Sequence, residues 1–143
     1  MSDASPEQIL DHLRSNMGAL ADRMGIVVTE ASPERVVATM PVEGNTQPYG
    51  LLHGGASVVL AETVGSIASA LNAGPGRFAV GVEINATHHR SATSGTVTGV
   101  ATALHVGRTM ASFEIVVTDD AGRRVCTSRL TCALIDRDPT PAG

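Results

Sequence analysis

Aromatic residues are nearly absent from this 143-residue chain, which has no tryptophan, one tyrosine (Tyr49) and two phenylalanines (Phe78 and Phe113). Proteins that bind single-stranded nucleic acid by base stacking need several exposed rings, so the composition argues against that class. Basic residues are also scarce. The 10 basic and 14 acidic residues give a net charge of −4, which does not favour a general nucleic-acid-binding surface.

Signals for secretion and membrane insertion are also lacking. The start of the chain has neither the basic region nor the apolar run of a secretory signal. The longest apolar stretch, residues 51–73, is interrupted by a histidine, a glutamate and several small polar residues, which makes it a poor membrane span. Cys126 and Cys132 lie six residues apart in a predicted strand, about 20 Å, beyond the roughly 7 Å that a disulfide bridges. We expect no intrachain disulfide, no membrane partner and a cytoplasmic location.

The remaining pattern predicts a single α+β domain over residues 1–143. An amphipathic helix is expected over about residues 6–20, a central helix over residues 54–72, and a loose polar tail over about residues 136–143. Strands are expected over residues 24–30, 35–41, 78–88, 93–105, 109–118 and 123–135. This order predicts an antiparallel sheet of about six strands wrapped around the central helix, with edges that a second copy of the chain would cover by pairing.

The central helix is apolar nearly all round, which predicts burial, yet it contains one carboxylate, Glu62. A buried carboxylate is costly unless it is paired or hydrogen-bonded, so Glu62 is a candidate for chemistry. Ser66 follows one turn later on the same face, where its hydroxyl can donate to the carboxylate or hold a water. The alternative is that Glu62 is an ordinary surface carboxylate facing solvent.

The helix begins at Gly54 and Gly55, directly after His53. First-turn N–H groups have no partner inside a helix and favour negative charge, and glycine lets a carbonyl group approach closely. Gly54 and Glu62 are about 12 Å apart along the helix axis, whereas reacting groups must meet within about 3–3.5 Å. We therefore predict that two antiparallel copies build each site together, with two sites per dimer.

Three patterns stand together here: Gln47-Pro48-Tyr49-Gly50, His53-Gly54-Gly55, and Leu60-Ala61-Glu62 followed by Gly65-Ser66. In this spacing they resemble the active-site segment of the hotdog-fold thioesterases. The branch is the one with phenylacetyl-CoA thioesterases, one type of 4-hydroxybenzoyl-CoA thioesterase and the proofreading thioesterase of enterobactin synthesis. The resemblance implies hydrolysis of an acyl or aroyl thioester of coenzyme A or an acyl carrier protein by a homodimer or dimer of dimers. No cofactor is implied, because coenzyme A is part of the substrate.

The resemblance also implies individual roles. Gln47 and the amide of Gly54 would polarise the thioester carbonyl, and Glu62 would be the nucleophile or general base. Ser66 stands where some relatives have threonine, keeps the hydroxyl, and would place the attacking water or the carboxylate. His53 would orient the loop and Gln47. Whether Glu62 forms a mixed anhydride or activates a water stays open.

Four further residues are candidates for substrate contact. His88 would line the acyl end of the pocket, and since adjacent strand residues face opposite sides, we expect His88 rather than His89 to face it. Because His88 and His89 face opposite sides of the strand, they do not easily bind one metal ion together, and no nearby Asp or Cys residues complete a set of ligands. The sequence therefore predicts no metal site. Arg90 and Arg108 lie near strand ends and suit the phosphates of coenzyme A, although plain surface solvation is the alternative.

Two other functions are compatible with such a fold. A non-catalytic acyl-CoA-binding module would need neither Glu62 nor Gln47. A hotdog hydratase or dehydratase pairs a catalytic histidine with an acidic residue in a different pattern, for which this chain offers no good match.

Overall fold

The computed structural model describes residues 4–137 and confirms the α+β class, with one six-stranded antiparallel sheet packed against a long helix. The elements are α1 (Pro6–Ser15), α2 (Ala19–Met24), β1 (Val27–Ala31), β2 (Arg35–Pro41), α3 (Gly54–Ala73), β3 (Arg77–His88), β4 (Thr96–Val106), β5 (Met110–Thr118) and β6 (Arg124–Asp136). The sheet order is β1-β2-β4-β5-β6-β3, so the chain continues from β2 through α3 to the far edge of the sheet before the last three strands form a meander.

The N-terminal region forms two helices instead of the single helix predicted over about residues 6–20. α1 begins as the sequence indicates. Ser5 and Gln8 cap it reciprocally, because each side chain accepts the other residue's backbone N–H. α1 ends at Ser15, and Gly18 precedes α2 with φ +85°. A positive φ interrupts a right-handed helix, which is why the chain changes direction here.

Two strand limits also differ from the prediction. β1 begins at Val27 and not at Met24, because Met24 belongs to α2 and Gly25 ends that helix in the left-handed conformation. β6 continues to Asp136, where the sequence predicts the start of a loose tail, and an ion pair of 2.9 Å joins Asp136 to Arg77. Residues 138–143 of that tail lie outside the described residues.

The core lies between the sheet and one face of α3. Gly65 permits the close approach, since a β-carbon there would be 2.7 Å from the Leu130 side chain. The prediction that α3 is buried on nearly all sides is wrong for the single chain, because Gly55, Glu62 and Ala70 are exposed. Among the described residues, α3 is the only helix with the length and mean hydropathy (1.3) of a membrane span, and its packing is that of a core helix.

The two edges of the sheet differ. At the β1 edge, the Arg14 guanidinium from α1 donates to the carbonyl oxygen of Val28 at 2.9 Å. At the other edge, β3 is 12 residues long and, among residues 4–137, pairs only with β6. It presents Phe78, Val80 and Val82, which are 39%, 42% and 60% exposed. A long, exposed, apolar edge strand is a surface suited to pairing with another chain.

Candidate active site

The loop over residues 42–53 leads into α3 and is held from inside by Asn45. The Asn45 side chain is buried and donates to the carbonyl oxygens of Met24 and Pro41 at 2.8 Å each. The backbone carbonyl oxygen of Asn45 accepts from the N–H of His53 at 2.9 Å. Asn45 was not among the residues predicted from the sequence. An amide residue directly after a glycine in a strand-to-helix loop is the signal that identifies it.

Gln47 lies in a tight turn that fixes its side-chain amide. The backbone carbonyl oxygen of Gln47 accepts from the N–H of Gly50 at 3.0 Å, and its side-chain Oε1 accepts from the N–H of Tyr49. Gly50 adopts φ +79°, a conformation that glycine takes without strain. Because Oε1 is engaged within the turn, the Nε2 hydrogens of Gln47 are the groups left to donate to a ligand.

His53 is the N-cap of α3, and its Nδ1 accepts from the N–H of Gly55 at 2.8 Å. Only part of the expected glycine pair is therefore available to a ligand, because the Gly55 amide is already engaged. Among the hydrogen bonds found within residues 4–137, none uses the N–H of Gly54. That amide is the one free to meet negative charge at the positive end of the helix.

A cavity of about 360 Å³ opens at the N-terminal end of α3 and is bordered by Gln47, Gly54, Ser57, His88 and Arg90. It is called the N-terminal cavity after this end of α3, and it is distinct from the N-terminal region of the chain. The His88 ring lies against Gly54, where a β-carbon would be 2.9 Å from Nε2. Ser57 is 1% exposed and was not selected from the sequence, because a serine in the first turns of a helix is common. The cavity thus combines free donors with room for a carbonyl group.

The other two candidates for substrate contact, His89 and Arg108, lie near opposite ends of β3. His89 also borders the N-terminal cavity, because β3 ends at His88 and strand alternation no longer applies beyond it. The Nε2 of His89 lies 2.8 Å from Thr127 Oγ1. Arg108 lies at the opposite end of β3, where its carbonyl oxygen accepts from Arg77 at 2.8 Å. Within one chain, Arg108 and His88 are therefore separated by the length of β3, about 36 Å.

Glu62 lies on the exposed face of α3, contrary to the burial predicted from the apolar helix. Its carboxylate is held over β3 at Gly81, where a β-carbon would be 2.9 Å from Oε1. Glu62 borders a depression of about 300 Å³, here called the Glu62 pocket, whose lining is Leu13, Asn16, Met17, Glu62, Thr63, Ser66 and Ile67. The structure thus places Ser66 and Glu62 at one pocket, as their spacing of four residues predicts.

The candidate catalytic groups form two half-sites. Gln47 and Gly54 meet at the N-terminal cavity, whereas Glu62 and Ser66 meet at the Glu62 pocket. The eight residues from Gly54 to Glu62 correspond to about two turns and about 12 Å of helix. Within one chain the donors and the acid therefore do not reach the same reacting group.

Metal and thiol chemistry find little support in the described part of the chain. Within residues 4–137, no group of three His, Cys, Asp or Glu side chains is arranged to hold a metal ion. Cys126 and Cys132 are buried free thiols, which confirms the expectation of no intrachain disulfide. Cys126 pairs across the sheet with His88, and burial raises the pKa of its thiol. A protonated, buried thiol is a poor nucleophile.

Comparisons with known proteins identify the family of this chain. The family model described as the thioesterase superfamily matches residues 49–126. The proofreading thioesterase EntH of Cronobacter sakazakii is 48% identical over 122 residues, which cover 85% of this chain and 89% of that protein. A mutant thioesterase from Pseudomonas aeruginosa, with a glutamine replaced by alanine, is 41% identical with a TM-score of 0.83, covering 94% of this chain and 96% of that one.

Two mutant structures of a Staphylococcus aureus protein are 33% identical to this chain, with TM-scores of 0.79 and 0.77. They cover 82% and 80% of this chain, and 99% and 97% of their own. One replaces a glutamate by alanine, and the other replaces a glutamine fifteen positions earlier by alanine. With the family model matching more than half of the sequence and a relative at 48% identity, this chain belongs to the hotdog-fold thioesterases of the thioesterase superfamily.

Proposed function

We propose that this thioesterase hydrolyses an acyl or aroyl thioester of coenzyme A or of an acyl carrier protein, at a site shared between two subunits. The observation that supports this best is the division into two half-sites. Hydrolysis of a thioester needs both a pull on the carbonyl oxygen and an activated oxygen nucleophile. The N-terminal cavity offers the first of these and the Glu62 pocket offers the second.

At the N-terminal cavity, the carbonyl oxygen of the thioester accepts hydrogen bonds from Gln47 Nε2 and the N–H of Gly54. Both donors are held in place before the substrate arrives, the first by the Tyr49 turn and the second by the His53 cap. Preorganised donors stabilise the negative charge that develops on this oxygen as the tetrahedral intermediate forms. The positive end of α3 adds to this stabilisation.

Glu62 of the second subunit supplies the nucleophile in one of two ways. Its carboxylate takes a proton from a water whose oxygen attacks the carbonyl carbon, the C–S bond breaks, and the thiol leaves with that proton. Alternatively the carboxylate attacks the carbonyl carbon directly, the C–S bond breaks to release a thiolate, and a mixed anhydride forms. Water then hydrolyses the anhydride, which regenerates the carboxylate and yields the proton that the thiolate takes up. In both routes the Ser66 hydroxyl orients the carboxylate or the water.

The substitutions made in the Staphylococcus aureus protein support Gln47 and Glu62 as a functional pair. The glutamine and glutamate replaced there are fifteen positions apart. Gln47 and Glu62 have the same separation in this chain.

Assembly of the shared site uses the bare edge of the sheet. Two β3 strands pair in antiparallel fashion about a two-fold axis, while α1 blocks the β1 edge. Glu62 lies over Gly81 of β3, and Gly54 lies beside His88 at the end of that strand. Pairing centred about midway between Gly81 and His88 therefore brings each Glu62 to the N-terminal cavity of the other subunit. A homodimer satisfies this geometry, and a dimer of dimers repeats it.

The same pairing gives the two arginine candidates a common location. It places the start of β3, with Arg108 beside it, next to the partner's strand end, where Arg90 lies. Arg90 and the partner subunit's Arg108 then flank the mouth of one site, at which His88 and His89 also lie. Guanidinium groups in this position suit the phosphates of coenzyme A or of a carrier protein's phosphopantetheine arm. We place the enzyme in the cytoplasm, where its free thiols stay reduced.

Thiol release from a panel of aliphatic and aromatic coenzyme A thioesters tests this function. We expect turnover by the wild type and a loss of about 100-fold in kcat for Glu62→Gln, the range typical for a general base. Glu34→Gln is the matched control, because Glu34 is exposed in the β1–β2 turn and distant from both half-sites. Wild-type turnover by Glu62→Gln would refute the role of Glu62. Binding without turnover by the wild type would favour a non-catalytic acyl-CoA-binding module.

A further inference from the structure

The N-terminal region closes one side of the Glu62 pocket. Leu13, from the last turn of α1, and Met17, from the break between α1 and α2, both border this pocket, opposite the face of α3 that carries Glu62. Both side chains are half-buried and pack on the core. Met17 lies between the end of α1 at Ser15 and the turn at Gly18, so the pocket wall depends on the interruption that the sequence does not predict.

Two polar side chains that border this pocket already donate hydrogen bonds to nearby backbone carbonyl oxygens. The Asn16 side-chain amide donates to the carbonyl oxygen of His12 at 2.8 Å. The Thr63 hydroxyl donates to the carbonyl oxygen of Val59 at 2.7 Å. These two donors are used locally, and Leu13, Met17 and Ile67 contribute hydrocarbon surface to the pocket.

The position of Glu62 at this pocket identifies what enters it. A carboxylate that acts on the carbonyl carbon must lie beside the acyl group. The pocket is about 300 Å³. It is open on one side in the single chain, and Leu13 and Met17 border it.

We propose that Leu13 and Met17 form the end wall of the acyl site and limit the length of the acyl group. This inference rests on the proposed function, in which Glu62 is the acid of the reaction. It assigns substrate selection to the N-terminal helical region of the subunit that supplies Glu62.

The test compares kcat/KM for octanoyl-CoA and dodecanoyl-CoA across variants of the wall. The wild type is expected to prefer octanoyl-CoA. Leu13→Ala and Met17→Ala open the wall, and each should raise the dodecanoyl-to-octanoyl ratio about tenfold, in the range that apolar pockets discriminate. Met17→Trp fills the pocket and should lower kcat/KM for octanoyl-CoA relative to acetyl-CoA. The ratio of two kcat/KM values does not depend on how much of a variant is folded.

Leu10→Ala is the matched control, because Leu10 is a half-buried leucine of α1 that packs on the core and does not border the pocket. It should leave the ratio unchanged. An unchanged ratio in both Leu13→Ala and Met17→Ala, an equal rise in Leu10→Ala, or a wild-type preference for dodecanoyl-CoA would overturn the inference. Failure of Glu62→Gln to lose turnover would instead overturn the proposed function, so the two failures are distinguishable.

Discussion

The carboxylate of Glu62 lies directly against the backbone of Gly81 in the edge strand β3. A β-carbon at position 81 would be 2.9 Å from Oε1 of Glu62, closer than side chains normally approach. Gly81 also precedes the point, around Val82, at which β3 shifts register against β6. Because Gly81 has no side chain, the Glu62 carboxylate has room beside β3. This is the strand that we propose as the subunit interface.

Substitution of Gly81 by alanine is expected to displace Glu62 with little effect on folding, because the contacted atom is the end of a flexible side chain. We expect kcat for thioester hydrolysis to fall about ten- to hundredfold, since a shift of about 1 Å in a catalytic group has an effect of this size. The thermal midpoint should stay close to that of the wild type. Kinetics and thermal unfolding of Gly81→Ala check both expectations.

Gly107→Ala is the control for this substitution, because a β-carbon there would be 2.8 Å from Nε2 of the His105 side chain. It would also be 3.3 Å from the backbone carbonyl oxygen of Met110, so the thermal midpoint of this control is measured beside its kcat. His105 belongs to neither half-site. Wild-type kcat in Gly81→Ala, or an equal loss in Gly107→Ala, would contradict the account of Glu62.

Gln47→Glu is expected to remove a hydrogen-bond donor while preserving the turn. The new carboxylate still accepts from the N–H of Tyr49, but it has no hydrogen to give to the thioester oxygen. We expect kcat to fall about 100-fold, as for loss of an oxyanion donor. Gln8→Glu is the control, because the Gln8 side chain also accepts a backbone N–H, at 2.8 Å from Ser5, and lies far from the site. Retention of kcat by Gln47→Glu would show that the donor is dispensable.

Val82→Lys is expected to separate the subunits, because lysine on an edge strand prevents pairing with another chain. Val82 is 60% exposed on β3. Light scattering should give half or less of the wild-type mass, with loss of thioesterase activity. Val27→Lys makes the same change at an exposed valine of the other edge strand and should keep mass and activity. An active monomer would disprove the shared site.

Much of the fold follows from local signals in the sequence. The breaker residues after Ala73 and the short turns between strands set the limits of α3 and of β2 to β6, each within three residues of its predicted position. The break between α1 and α2 was missed because it depends on the conformation of Gly18 (φ +85°). A glycine in a helical pattern does not by itself reveal that conformation.

The arrangement of the candidate site follows only partly from the sequence. The apolar periphery of α3 predicts burial for Glu62, but the sheet covers one face, and which face stays free depends on tertiary packing. His53 binds the Gly55 amide, a use of histidine as a cap that sequence preferences do not favour. Arg108 is distant from His88 because β3 crosses to the far edge and pairs with β6, a connection that no local pattern specifies.

Complementation between two inactive variants tests the shared site most directly. Gln47→Ala and Glu62→Gln each damage both sites of their own homodimer. When the two chains are co-expressed, half of the dimers are hybrids, and each hybrid contains one site with an intact Glu62 and an intact Gln47. The account predicts recovery of about a quarter of wild-type thioesterase activity. Activity of the co-expressed mixture no higher than that of the separate variants would contradict it.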